Sequence, residues 1–320
     1  DGALSAVYAG TTLSLGGVAL TGTAAAIAPA AAEIDATTTS DAAGAGTGGG
    51  TTTGVTRALT VDDDTFSGTS LNDTYTAGAG TLNSGDRIID GSSSDNDSLV
   101  VTLTEDNVAP TISSIEDINV DIDVFDGTNA TLDASNISGA TITMFSDRTL
   151  FNGTAEVGGL GDNNVTAGSN VDTLTVEDLE AGVVNTGSAD TVKVTTAAAT
   201  DVANLTVNGN LELELVTATD LVVTATSASV VTAKNTAFSA TDVTLNGTVT
   251  LQGKADDFST KTITGGSLHI DDSGAGALDA GSFTVSSIEV AHDNALAVTH
   301  ADGQTVNLTA EDADLAVSGT

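Results

Sequence analysis

Residues 172–223 read DTLTVEDLEAGVVNTGSADTVKVTTAAATDVANLTVNGNLELELVTATDLVV, and this stretch decides the fold. Short runs at 173–176, 191–194, 205–207, 211–215 and 221–223 alternate Leu or Val with Thr, Lys or Glu. A period of two puts the apolar side chains on one face of a strand and the polar ones on the other. Asn-Gly, Gly-Asn and Ala-Thr-Asp steps break the runs where a chain must turn. Outward from this stretch the pattern continues, at 98–103 and 118–124 on one side and at 243–245, 249–251, 267–270, 283–285 and 306–308 on the other. One helical turn is expected near 177–181 and no longer helix anywhere. The fold class is all-β. A β-solenoid, similar to a parallel β-helix, is preferred over a β-sandwich because the strands are short and rich in Thr, Val and Ala. A sandwich of this length wants more large core residues.

Composition narrows the function. The 320 residues carry 7 Lys and Arg against 44 Asp and Glu, a formal charge of −37, with no Cys or Trp and only seven Phe and two Tyr. Without cysteine there is no disulfide framework, thiolate metal site or cysteine nucleophile. So few cations would repel phosphate, which excludes nucleic acid as a partner. At 40% apolar the chain is too hydrophobic for charge-driven disorder. Stability must come from many stacked strands of small β-branched residues.

Three regions follow. Residues 1–60 form an extended N-terminal arm and a Gly/Thr-rich linker, 61–171 an Asp-rich β region, and 172–320 a Thr/Val/Ala-rich β-solenoid. The arm has no charge from 2 to 32, but Gly and Thr dilute it throughout, so a membrane span is not expected. Leu13-Ser14-Leu15 and Val18-Ala19-Leu20 flank Gly16-Gly17 and read as a hairpin. Leu13, Leu15, Val18 and Leu20 are candidate contacts to a neighbouring subunit, as in donor-strand assembly. Ala28-Pro29-Ala30-Ala31-Ala32 is similar to a cleavage site, and Asp at position 1 reads as a processed chain or a fragment.

Calcium is the best-supported ligand. It takes six to eight oxygens, which turn aspartates supply. Asp62, Asp64, Asp73, Asp86, Asp90, Asp95 and Asp97 lie in the densest acidic region of the chain. On 118–124, alternation puts Asp121 and Asp123 on one face, where they repel unless a cation or partner intervenes. Asp256-Asp257 and Asp271-Asp272 are weaker candidates.

The segment Phe66-Ser67-Gly68-Thr69-Ser70-Leu71-Asn72-Asp73-Thr74-Tyr75-Thr76-Ala77-Gly78, then Thr81-Leu82-Asn83-Ser84-Gly85-Asp86-Arg87-Ile88-Ile89-Asp90-Gly91 and Ser114-Ile115-Glu116-Asp117-Ile118-Asn119-Val120, resembles bacterial surface-layer and RTX-related secreted proteins of the Caulobacter type. The resemblance is centred on 62–124. It implies an extracellular array, calcium-dependent ordering and secretion. Asp90-Gly91 is followed by serines where that family continues with glycines, and tandem nonapeptides are missing near 320.

Enzymatic readings fare worse. The seven cations do not cluster, and His269, His292 and His300 have no nucleophile motif nearby. Nine N-x-S/T sequons, Asn72, Asn96 and Asn246 among them, suit a cell-surface glycoprotein or simply mark turns. The expectation is a non-catalytic structural subunit, a homopolymer in an extracellular surface layer or filament, held by calcium, with cell-surface polysaccharide as a second partner. The alternatives are a secreted calcium-dependent adhesin and, third, a β-helical polysaccharide enzyme.

Overall fold

The computed structural model describes residues 53–319 apart from 125–129, 149–153, 199, 234–238, 272–275, 292–295, 301–304 and 310–314, together with the strands Thr12–Leu15 and Val18–Thr21. Just over half the chain is strand (56%), wound as parallel stacked coils into a β-solenoid of about 11 turns. One series of strands pairs in parallel from Thr56–Ala58 through Thr74–Ala77, Ser98–Leu103, Asp117–Ile122 and Thr141–Phe145. It continues through Asn164–Ala167, Val183–Asn185, Val202–Val207 and Asp220–Ala225. A second series runs from Ala130–Asp133 through Thr154–Gly158, Thr173–Leu179, Thr191–Thr196 and Leu211–Thr217. The long strands Asp242–Lys254 and Thr262–Asp271 belong to both series. A third, short face at the N-terminal end holds Thr65–Ser67, Arg87–Ile89, Thr111–Ser113 and Ile137–Ser138.

Alternation explains the coil. Strand after strand shows the pattern half-buried, buried, half-buried, as in Asp117–Ile122 and Val202–Val207. Parallel pairing stacks like on like, so Leu99, Ile118, Ile142, Val165, Val184 and Leu205 form one internal column. All six are at most 1% exposed. Each such side chain contributes about 1.5–3 kcal/mol on burial, which is how a chain with nine aromatics sustains a core. That core is one cluster, running from Leu59 to Val298, and the ladders cross residue 171 unbroken through both series. At the turn Gly187, φ is 50°, and the backbone passes so close to the Ala167 carbonyl that a Cβ has no room.

The helical turn expected at 177–181 is not there. Thr173–Leu179 continues as a strand with a bulge, Asp178 taking φ 55°. A single turn of helix lies instead at Ala255–Phe258, where Phe258 plugs the core. The expected hairpin pairs antiparallel, Leu13 with Leu20 and Leu15 with Val18. Its side chains, and the linker up to residue 52, lie outside the described residues. No described helix is long and apolar enough to cross a membrane.

Candidate metal centre

Each coil enters its first-series strand through a residue stacked over its counterpart one coil away. Three of these residues are acidic, and each carboxylate accepts the backbone N–H of the residue one coil earlier. Val55 N–H donates to Asp73 Oδ1 at 2.7 Å, Asp73 N–H to Asp97 Oδ1 at 2.7 Å, and Asp97 N–H to Glu116 Oε2 at 2.9 Å. The column thus satisfies main-chain donors that no ladder partner reaches. Further up the stack, Asn163 does similar work from inside the core. Its Oδ1 accepts from Ala140 N–H at 3.0 Å, and its Nδ2 donates to Ile137 O at 2.8 Å and Leu160 O at 2.9 Å.

A further acid, Asp90, comes from the turn after Arg87–Ile89. Asp90 is positioned by its backbone bond to Ser113 O at 3.0 Å and by Ser92 N–H on its Oδ2. Asp73, Asp90 and Asp97 are all buried, at 1%, 4% and 0% exposure, and offer ligand oxygens within 4.8 Å of one another. Gly68 makes this approach possible, since a Cβ there would fall 2.7 Å from Asp73 Oδ2 and closer still to Asp90 Oδ1.

The oxygens are not equally occupied. Asp73 is satisfied, with Thr69 N–H at 2.6 Å on Oδ2 and Thr69 Oγ1 at 3.0 Å on Oδ1. Asp90 Oδ1 and Asp97 Oδ2 are buried without a hydrogen-bond partner, as are both carboxylate oxygens of Asp95. Burial, followed by the charges of Asp90, Asp95 and Asp73, pushes the Asp97 carboxyl up to about 6. Asp90 is raised too, by burial first and then chiefly by Asp95. Orphaned buried acceptors crowded by like charge are costly alone, and a cation would relieve both costs. The donor set is all oxygen, which fits a hard cation of the calcium type and not a soft metal. Beneath it, Tyr75 stacks on Phe66 with ring centroids 6.1 Å apart. Its buried hydroxyl has no partner, and its pKa is raised by burial and by Asp73, Asp97 and Asp90.

The remaining candidates lie elsewhere. Asp86 belongs to the corner before Arg87–Ile89, where Oδ1 accepts from Asp64 N–H and Oδ2 from Asn83 N–H, both at 2.8 Å. Burial raises its pKa. Asp64 Oδ2 accepts from Thr60 N–H at 2.6 Å, and Asp62 is exposed. Asp64 thus caps its own loop, and Asp86 holds the N–H of a residue one coil earlier, as Asp97 does. Asp121 and Asp123 do meet a partner, as their alternation requires, but it is protein: Arg148 pairs with Asp123, and Asp147 N–H donates to Asp121 Oδ1 at 3.0 Å. His269 sits between Asp271, 3.3 Å from Nε2, and Glu289, 3.4 Å from Nδ1. His292 and the side chain of His300 lie outside the described residues.

A groove of about 480 Å³ escaped the sequence reading. Its walls are Asp106, Asp133, Glu156, Glu177 and Asp178 over a floor of Thr131 and Gly158-Gly159. Glu156 is raised by burial first, then by Glu177 and Asp106. No protein family, curated protein or solved structure matches this chain.

Proposed function

We propose that this protein is a non-catalytic structural subunit that self-assembles into an extracellular surface layer or filament, with calcium held at the corner formed by Asp73, Asp90 and Asp97. The observation that carries the reading is the pair of orphaned buried oxygens, Asp90 Oδ1 and Asp97 Oδ2, facing one another's charge inside a continuous solenoid. Asp73, Asp90 and Asp97, whose oxygens lie within 4.8 Å of one another, would hold the ion, with the charge of Asp95 close by. The bound cation would supply positive charge between two successive coils, tying the turn at 90–97 to the rung at 73. A net charge of −37 makes subunits repel at low ionic strength, so divalent cations would also favour contact between copies. The resemblance at 62–124 supports the same role and an extracellular setting.

A second reading is favoured by the acidic groove, which suits a secreted calcium-dependent adhesin with a cationic ligand. Negative-stain electron microscopy of the purified protein in millimolar calcium, and again after EGTA, separates the two. Ordered sheets or filaments that dissolve on chelation support the structural subunit. Dispersed monomers in both conditions move the assignment to the adhesin.

A further inference from the structure

We infer that the sheet face of the first strand series is where a second copy of this chain packs, face to face; this rests on the reading of the protein as a self-assembling subunit. The central outward positions of that series line up in two columns, flanked along the strands by Asp121 on one side and by Asp220 and Asp242 on the other. One passes through Thr74, Ser98, Asp117 and Thr141 towards Asn204 and Thr244. The other passes through Thr76, Val100, Asn119, Thr143 and Thr166 towards Thr206.

Asp117 is the single charged residue in the two columns from Thr56 to Thr284, and its Oδ2 already accepts from Asn96 Nδ2 at 3.0 Å. The outward positions of the second series look quite different, carrying Glu156, Lys193, Glu212, Glu214, His269 and Glu289. Charge is therefore sparse along this central strip of a strongly acidic chain. Two of the three large apolar residues exposed among those described, Val100 at 44% and Val183 at 38%, also lie in these columns.

Electrostatics and area select the occupant. Two copies at −37 each approach at least cost where few carboxylates must be desolvated or brought against one another, and among the described residues these two columns carry one, Asp117, along their whole length. About eleven strands at roughly 4.8 Å spacing and two columns of width give a patch of about 50 by 10 Å. Counted on both partners this is about 1,000 Å², the lower bound for a specific contact. Thr hydroxyls and Asn amides can bond across it. A two-fold arrangement centred near Val183 and Asn204 puts Asp117 opposite the Thr264 end of the other copy, whereas a parallel one would stack Asp117 on Asp117.

Because the native chain has no cysteine, single-cysteine variants of the full protein report the contact directly. Thr206→Cys on this face should give covalent dimers with a short bis-maleimide, and Thr175→Cys on the second series should not. Thr143→Glu combined with Thr206→Glu, separated by the Thr166 and Asn185 rungs, should weaken association in sedimentation velocity by roughly tenfold or more and leave the melting temperature of the dilute monomer unchanged. If sheets or filaments form but Thr206→Cys does not cross-link and the glutamates leave assembly intact, this face is not the contact, and the assembly reading stands. A wild type that stays monomeric at every concentration overturns both. A monomer that insoluble polysaccharide depletes, when the glutamate variant is not depleted, would give the face to a glycan and overturn the pairing.

Discussion

The backbone N–H of Asp73 donates to Oδ1 of Asp97, 2.7 Å away and one coil further on. That bond aims the other oxygen, Oδ2, into a buried space shared with Asp90 Oδ1, where neither finds a donor. The coil therefore uses half of each of these two carboxylates for its own backbone and leaves the other half without a donor.

Substitution of Asp90 by Asn should reverse sign with calcium. In EGTA, Asp90→Asn should melt above the wild type, because one of the like charges crowding Asp97 is gone. In calcium the order inverts. An ion at about 100 times its dissociation constant adds about 2.7 kcal/mol to a protein that binds it, and the variant should gain almost nothing. Calorimetric melts of both proteins in the two buffers test this.

Gly68→Ala addresses the same corner through space alone. The new methyl group must displace Asp73 Oδ2 and Asp90 Oδ1, at about 1–3 kcal/mol for overpacking. Denaturant unfolding should report that loss, and the calcium-induced shift in midpoint should shrink with it.

Asn163→Ala tests the internal column without touching any acid. It strands Ala140 N–H and Ile137 O in the core, while Leu160 O keeps the backbone N–H of residue 163 at 3.1 Å. The expected loss is about 3 kcal/mol or more, unchanged by calcium. A loss under about 1 kcal/mol in urea unfolding would show that the solenoid does not depend on this amide.

Glu156→Gln gives a pH dependence of definite sign. The native carboxyl titrates above its ordinary 4.5, so between 4.5 and the raised value the folded chain binds more protons than the unfolded chain. Stability from this group therefore falls as pH rises through that window, and the full cost remains above it. Glu156→Gln should melt higher than the wild type near pH 7, by about 1–3 °C for a chain of this size, and show no advantage at pH 4. Parallel thermal scans at the two pH values decide the matter.

Strand positions were legible because Thr and Val alternate around an internal column, and Asn-Gly and Gly-Asn steps mark the turns. The coil's period was not, since it varies from 18 residues between Thr56 and Thr74 to 24 between Thr74 and Ser98. Without that period nothing shows that Asp73, Asp90 and Asp97 converge, whereas Asp62 stays exposed and Asp86 spends both oxygens on backbone donors. The groove was missed for the same reason. Asp106, Asp133, Glu156 and Asp178 recur at about one coil's length, a spacing that identifies a shared flank only once the coil is known. Asp121 and Asp123 were rightly read as needing a counter-charge, but Arg148 supplies it from the next coil. At Glu177 a bulge replaced the expected helical turn, because Leu179 stays in the core and Asp178 takes the left-handed conformation instead.

Sensitised terbium luminescence tests the cation site most directly. Terbium takes the place of calcium among oxygen ligands, and Tyr75, buried in the field of Asp73, Asp97 and Asp90, is the antenna. Excitation through tyrosine should give terbium emission that calcium displaces. The emission should vanish in Asp90→Asn combined with Asp97→Asn, and fall in Tyr75→Phe with calcium affinity retained. Emission absent from the wild type, or unchanged in the double variant, would contradict the account.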